Sequence, residues 1–252
     1  MHGRGFGGAL GLGGFLTVAT LHPRGSGESG DPADGDYTLP AYARDVAGLL
    51  NHLGRERAII LGHSHGGMIA QRFALDFPGR VEKLILADTA ANLSEFLGDV
   101  ETAVQAYRDR PWFAESYRAL QREWAGDYQT AEDMGALWLA EMPLYFRDWG
   151  DQFERLRTER LYLPMRMAPL QAFNTGEALT MDLRPELPRI SAPTLVIVGR
   201  YDFITGPSMA EDIAGRIPGA QLVVFEGSGH MPFFEEPDRW QAVIRAFVER
   251  AG

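Results

Sequence analysis

A serine between two glycines carries the clearest chemical signal in this chain. Gly62, Ser64 and Gly66 form the pattern G-x-S-x-G between the apolar run AIILG and a stretch of helical periodicity. A serine on such a tight strand-to-helix turn has a strained backbone, and small flanking residues let the turn close. The following helix would also place its positive end at Ser64. The pattern therefore predicts that Ser64 is a nucleophile; the alternative is a chance match in a chain with 29 glycines.

A serine nucleophile needs a base within hydrogen-bond reach, and that base needs an orienting partner. Of the six histidines, His63 and His65 flank the serine too closely to act on it, and His52 lies on an amphipathic helical stretch. His230 follows the apolar run QLVVFEG, in the loop segment GSGHMP, whose small residues leave room for a projecting ring. We predict that His230 is the base. The alternative is a loop histidine with ordinary hydrogen bonds.

Two aspartates come directly after apolar runs and could orient that base. Asp202 lies in VGRYDFIT after TLVIVG, and Asp88 lies in LADTA after another strand-like run. Side chains at the carboxyl ends of parallel strands meet at the edge where sites of α/β proteins form. Asp202 is the predicted acid and Asp88 the competing one. The alternative for Asp88 is a hydrogen-bonded carboxylate that closes a strand.

The elements that would position these residues alternate between strand and helix. Strands are predicted for FLTVATL from Phe15 to Leu21, AIILG from Ala58, KLILAD from Lys83, TLVIVG and QLVVFEG, and helices for 40–53, 66–77, 207–217 and 237–249. Such alternation is typical of a mostly parallel sheet covered by helices on both faces. The sequence therefore predicts an α/β fold.

One long segment interrupts the alternation. From about Ser94 to Met181 the chain carries several helical stretches rich in tryptophan and tyrosine. We interpret residues 93–181 as an inserted helical cap, and residues 1–92 together with 182–252 as the core. Within the cap, Glu141 is interpreted as a solvated helix charge, with binding of a substrate amine as the alternative.

Composition removes several classes of function. The net charge is −10 over 252 residues, without the lysine and arginine clusters that bind a phosphate backbone, so a nucleic-acid partner is not expected. The chain has no cysteine, which excludes disulfides, thiolate metal sites and cysteine nucleophiles. No apolar run reaches the roughly 18 residues that span a bilayer, so we expect no membrane partner and a cytoplasmic location.

The same motifs resemble those of the α/β-hydrolase superfamily. The similar segments are PRGSGESG, GHSHGGMIAQRFALDFP, VEKLILAD, PTLVIVGRYD and GSGHMPFFEEP. They extend from about Leu16 to the end of the chain, except in the cap, and PRGSGES is similar to the branch of proline iminopeptidases and small-ester hydrolases. The resemblance implies an α/β-hydrolase fold with a mostly parallel sheet, an inserted helical cap, and the chain order Ser, Asp, His.

The resemblance also implies an activity and two further site residues. Members of the family stabilise an oxyanion with the backbone N–H that follows the nucleophile, here that of His65. The second donor follows a His-Gly pair, and His2-Gly3 makes the N–H of Arg4 the candidate. The expected function is hydrolysis of a small-molecule ester, lactone or thioester through an acyl-enzyme on Ser64, with no cofactor and no metal. The alternatives are an iminopeptidase-like aminopeptidase or amidase, and a non-catalytic ligand-binding protein.

Two departures from the family qualify these expectations. Many iminopeptidases have tryptophan where this chain has His65. The family also has a strand that leads into the His-Gly motif, and this sequence has no residues ahead of Met1 that could form it. We therefore expect additional amino-terminal residues with a strand leading into His2. If the chain begins at Met1, the alternatives are direct pairing of the strands at Phe15 and Ala58, or a strand from another molecule.

Overall fold

The sheet is built from parallel strands, in agreement with the alternating sequence. The structure, a computed structural model, describes residues 10–150 and 166–250. Within those ranges it has one four-stranded sheet of order β1-β2-β3-β4, all pairs parallel: β1 (Ala58–His63), β2 (Val81–Ala87), β3 (Thr194–Gly199) and β4 (Gln221–Phe225). The predicted α/β fold with a mostly parallel sheet is confirmed.

Helices connect the strands, and five of the ten α-helices in the described ranges lie between β2 and β3. The ten helices are α1 (Leu39–His52), α2 (His65–Asp76), α3 (Leu97–Val104), α4 (Phe113–Trp124), α5 (Ala131–Glu141), α6 (Met167–Ala172), α7 (Ala178–Thr180), α8 (Pro207–Arg216), α9 (Pro232–Glu235) and α10 (Pro237–Glu249). A π-helical turn (Phe173–Glu177) joins α6 to α7. None of the helices in the described ranges is both long and apolar enough to cross a membrane.

The sheet is buried on both faces, which explains the nearly continuous apolar character of its central strands. Successive side chains of a strand point to opposite faces. In β2, Leu84 and Leu86 belong to a core cluster that includes Phe73 of α2. The intervening Ile85 belongs to a second cluster, with Trp240 of α10. The two clusters therefore cover the two opposite faces of the sheet.

All four candidates for the nucleophile, the base and the orienting acid follow the carboxyl end of a strand. Ser64 follows β1, Asp88 follows β2, Asp202 comes after β3 and His230 after β4. Because the strands are parallel, these ends lie along one edge of the sheet. The fold thereby brings residues that are 166 positions apart in the sequence into one region.

The inserted segment leaves and rejoins the sheet through two adjacent stretches of chain. Asn92 and Asp182 form an isolated antiparallel bridge. The side-chain amide of Asn92 donates to the carbonyl of Met181 at 3.1 Å. On the outside, Arg184 pairs with both Glu95 and Asp182. These contacts join the beginning and the end of the helical insertion.

The strand predicted from Phe15 to Leu21 is wrong. Residues Leu12–Gly14 form a short 3-10 helix that continues into a turn, with Leu16 N–H donating to Leu12 O at 3.0 Å, and residues 17–21 have no regular structure. Val18 is 38% exposed. A β-branched run forms a strand only where it can pair and pack. In the described part of the chain β1 is an edge strand that pairs only with β2, so direct pairing with this segment is not observed.

Candidate active site

Ser64 lies on a turn whose backbone few residues adopt. Its φ of 54° and ψ of −126° place it outside the helical and extended regions. The turn is held by the Ser64 N–H, which donates to the carbonyl of Ala87 at 3.0 Å, and by the Thr89 hydroxyl, which donates to the Ser64 carbonyl at 2.7 Å. Strain that the surrounding structure maintains in this way is typical of functional positions. The geometry is that of the sharp turn which the sequence predicts.

Close packing explains some of the glycines around the serine. A Cβ on Gly62 would lie 2.2 Å from the carbonyl oxygen of Gly66, and a Cβ on Gly67 would lie 2.5 Å from Cβ of Thr89. Gly66 itself has no atom within 4 Å of an added Cβ. The requirement for a small residue therefore falls on Gly62 and Gly67. The sequence pattern assigned this requirement for a small residue to Gly62 and Gly66, and did not indicate Gly67.

The structure brings His230 and Asp202 together in a buried pair. Nδ1 of His230 lies 2.8 Å from Oδ2 of Asp202, and both residues are 2% exposed. Oδ1 of Asp202 accepts the backbone N–H groups of Ile204 and Thr205, each at 3.0 Å, and Oδ2 also accepts the Thr205 hydroxyl at 2.8 Å. Burial alone would raise the pKa of Asp202, but His230 and these donors outweigh it and lower the pKa. Asp202 is therefore an anion that fixes the imidazole.

Asp88 has a different set of contacts. Its Oδ1 accepts the backbone N–H of Gly199 at 2.8 Å, at the end of β3. Asp88 is fully buried, with a positive φ of 46°. Burial first, and then the nearby charge of Asp202, raise its pKa well above the usual range of a carboxyl group. Its contacts are those of the strand-end carboxylate given as the alternative interpretation.

Asp88, Asp202 and His230 could in principle hold a metal ion. One potential ligand atom of each lies within 4.8 Å of the others. The oxygens of Asp202 already accept four hydrogen bonds, however, and Nδ1 of His230 is used by Asp202. A metal would have to displace these donors, whereas a carboxylate–imidazole pair satisfies them. The donor set therefore fits acid–base chemistry better than metal binding.

The ring of His230 is held from two sides. The His63 ring, directly before Ser64, lies 4.7 Å from it between centroids, and the Tyr145 ring of the insertion lies 5.5 Å from it. Nε2 of His63 is 2.8 Å from the His230 carbonyl oxygen, and the His230 N–H donates to the Tyr145 carbonyl at 2.8 Å. Burial lowers the pKa of His63 to about 3, so His63 is neutral. His230 thus sits between the serine turn and the insertion.

His65 begins α2, where backbone N–H groups lack partners within the helix. Its ring packs against Tyr42 at 5.3 Å and against Phe173 of the π-helical turn at 4.9 Å. Burial lowers the pKa of His65 to about 4, and its Nε2 is buried without a hydrogen-bond partner among the described residues. The predicted second donor, Arg4, lies outside the described residues.

Glu141 is not the solvated helix charge that the sequence favoured. It is 1% exposed, and its Oε2 has no hydrogen-bond partner in the part of the chain that the structure describes. Burial and the nearby carboxyl of Glu123 raise its pKa to about 9, and Tyr145 hydrogen-bonds to it. Glu141 and Glu123 lie on α5 and α4, which pack together. Nothing in the spacing along the chain marks them as neighbours, which is why sequence reasoning missed Glu123 and Tyr145.

Comparison with known proteins places the chain in a family. The alpha/beta hydrolase fold family matches the chain over residues 16–237. The chain belongs to the alpha/beta hydrolase fold family.

Several members of the alpha/beta hydrolase fold family are similar over most of the chain. AB hydrolase superfamily protein YisY of Bacillus subtilis is 33% identical, over 89% of this chain and 78% of that protein. 3-Oxoadipate enol-lactonase 2 of Acinetobacter baylyi is 30% identical, over 92% and 79%. A proline iminopeptidase of Saccharolobus solfataricus is 28% identical, over 90% and 74%.

Solved structures of alpha/beta hydrolases agree with the fold. The thermophilic esterase of Thermogutta terrifontis is 31% identical with a TM-score of 0.63, over 90% of this chain and 77% of that one. The enol-lactonase of Burkholderia xenovorans is 27% identical with a TM-score of 0.65, over 90% and 79%. The alpha/beta hydrolase resemblance drawn from the motifs is thereby confirmed.

Proposed function

We propose that this alpha/beta hydrolase cleaves a small-molecule carboxylic ester or lactone through an acyl-enzyme on Ser64. The observation that carries the proposal is the buried 2.8 Å contact between His230 and Asp202, held beside the strained serine turn by the His63 ring. A nucleophile on a sharp turn, a base and an acid that orients the base are the three parts of acyl-transfer catalysis.

Each residue has a defined role in the proposed reaction. His230 takes the proton of the Ser64 hydroxyl while the serine oxygen attacks the substrate carbonyl. Asp202 holds the imidazole and stabilises its positive charge. The developing oxyanion accepts the N–H of His65 at the start of α2, with the N–H of Arg4 as the proposed second donor. His230 then gives its proton to the leaving oxygen, and water, activated by the same imidazole, releases the acid from Ser64.

The insertion would decide which carbonyl compound reaches Ser64. We assign it the role of a cap, residues 93–181, over a core formed by 1–92 and 182–252. Phe173 and Tyr145 from this segment contact the rings of His65 and His230, on either side of the serine turn. Apolar and aromatic side chains in these places favour a small substrate with an apolar acyl or leaving group. Relatives named esterase and enol-lactonase support this choice.

A second candidate, aminopeptidase activity, is supported by Glu141 and Glu123. An oxygen of Glu141 that is buried without a partner is the kind of group that a substrate ammonium could satisfy. Since the pKa of Glu141 is about 9, its carboxyl is protonated at neutral pH and would release that proton on binding an amine. The iminopeptidase relative supports this alternative.

A substrate panel distinguishes the candidates. We expect turnover of p-nitrophenyl esters of short acids, loss of that turnover in Ser64→Ala, and weak or no turnover of amino-acyl anilides. Faster turnover of anilides than of esters would favour the aminopeptidase. Glu141→Gln is the matched variant, because glutamine has the shape of the neutral acid: it should leave ester turnover within about threefold and lower anilide turnover at least tenfold if an amine binds there. Binding of ligands without any turnover would indicate a non-catalytic protein.

A further inference from the structure

Glu235, the last residue of α9, links two separate stretches of backbone. Its Oε2 accepts the N–H of Gly229 at 2.7 Å, and its Oε1 accepts the N–H of Arg147 at 2.8 Å. Gly229 directly precedes His230 in the loop after β4. Arg147 lies in the insertion, just after the short 3-10 helix Met142–Tyr145. One half-buried carboxylate therefore uses both of its oxygens to join the loop of the proposed base to the insertion.

The two stretches are in direct backbone contact at the same place. A Cβ on Gly229 would lie 2.6 Å from the carbonyl oxygen of Tyr145 and 3.0 Å from the Arg147 nitrogen. The next residue in the chain, His230, donates its N–H to the same Tyr145 carbonyl at 2.8 Å. Because the φ and ψ angles of a glycine are less restricted than those of other residues, the position of His230 depends on the contacts that hold Gly229. The side chain that binds the N–H of Gly229 in the structure is Glu235.

We propose that Glu235 is a positioning residue for His230: by binding the N–H groups of Gly229 and Arg147 together, it holds the base in register with Asp202 and ties it to the insertion. This inference rests on the proposed role of His230. Hydrogen bonds from N–H groups to a carboxylate are stronger than those between neutral groups. A glutamine in this place could accept only one of the two N–H groups, and its own NH₂ would face the other.

The test compares Glu235→Gln and Glu235→Asp with wild type and with a control, Glu226→Gln. Aspartate keeps the charge but is one methylene too short to reach both N–H groups. Glu226 belongs to the same loop, is exposed and pairs only with Arg200 among the described contacts. Measurements are made near pH 8.5, where Glu235 is ionised, because burial raises its pKa to about 7.

Two readouts are needed. The first is the low-field proton resonance of His230 Nδ1–H, recorded without substrate, which reports the contact with Asp202. We expect both Glu235 variants to shift or broaden it. The second is ester hydrolysis, where kcat should fall roughly tenfold, equivalent to about 1.4 kcal/mol, while KM changes less than about twofold. The control should match wild type in both.

Specific outcomes would overturn the inference. An unchanged resonance together with unchanged kcat in Glu235→Gln would show that Glu235 does not position His230. Failure of both Glu235 variants to fold would assign the residue a purely structural role. Since the resonance requires no turnover, it decides the inference even if Ser64→Ala kept its activity. Retained activity in that variant would contradict the proposed function alone.

Discussion

A Cβ on Gly62 would lie 2.2 Å from the carbonyl oxygen of Gly66, across the turn that carries Ser64. Real atoms do not approach so closely, and the contact involves backbone on both sides. The first glycine of G-x-S-x-G is therefore required by space, whereas the last one contacts nothing within 4 Å through an added Cβ.

Gly62→Ala should consequently destabilise the protein far more than Gly66→Ala. We expect Gly62→Ala to cost at least about 3 kcal/mol, because the backbone itself must move, and to lower the Tm by roughly 6 to 12 °C for a chain of this size. Gly66→Ala should leave the Tm unchanged or raise it by up to about 4 °C, since it adds a methyl group in open space on a helix, where alanine is favoured over glycine by roughly 1 kcal/mol. Thermal unfolding followed by circular dichroism measures both. Equal losses in the two variants would disagree with this packing.

The two aspartates should respond differently to the same substitution. Asp202→Asn keeps the shape but favours the wrong imidazole tautomer, and we expect a loss on the order of 10⁴ in kcat, by analogy with serine proteases. Asp88→Asn should cost less than about fivefold, because its side-chain oxygen can still accept the Gly199 N–H. Steady-state kinetics on a p-nitrophenyl ester checks both. The reverse ranking would make Asp88 the acid.

Ser64 and His230 should act as one unit. Ser64→Ala and His230→Ala are each expected to reduce turnover to trace levels, and the double variant should be no worse than about twofold below either one. The small serine side chain can be removed with little effect on the fold, so Tm values serve as the control. A double variant that is many-fold slower than both single variants would mean that the two residues act independently.

The buried histidines should make the protein sensitive to acid. The pKa values of His63 and His65 are lowered to about 3 and about 4, from 6.5 in the unfolded chain. Between the lowered pKa values of the folded protein and the pKa of 6.5 in the unfolded chain, the unfolded chain binds more protons than the folded one. The free energy of unfolding should therefore fall as the pH drops from about 6.5 toward 4. His65→Phe removes one of these groups and should reduce that fall by roughly 1 to 3 kcal/mol.

Urea unfolding at several pH values between 4 and 7.5 measures this effect. The matched control is His52→Gln, because His52 is exposed at the end of α1 and should leave the acid dependence as in wild type. If His65→Phe loses stability toward acid as steeply as wild type does, His65 is not held neutral in the fold.

Local patterns were sufficient to predict most of the core. The strand TLVIVG and the last helix are found at Thr194–Gly199 and Pro237–Glu249, the bounds that apolar runs and the proline at the helix start indicate. The positions of Ser64, Asp202 and His230 directly after predicted strands also predicted their common edge, because parallel strands place their carboxyl ends together.

Contacts between distant segments could not be predicted in this way. The β-branched run from Phe15 to Leu21 has the composition of a strand, but strand formation requires a neighbour, and in the described sheet it has none. The burial of Glu141 depends on the packing of α4 against α5. Glu235 was overlooked because its partners, Gly229 and Arg147, are backbone N–H groups, which carry no signature in the sequence.

The most direct test of the central claim is covalent labelling with a fluorophosphonate probe, followed by intact mass and peptide mapping. The probe forms a stable bond only with a serine that a neighbouring base activates. We expect one label per chain, located on Ser64, with no label in Ser64→Ala and labelling slowed at least a hundredfold, roughly, in His230→Ala, in line with general-base catalysis. A label on another residue, or an unlabelled wild-type protein that hydrolyses esters, would contradict the assignment of Ser64 as the nucleophile.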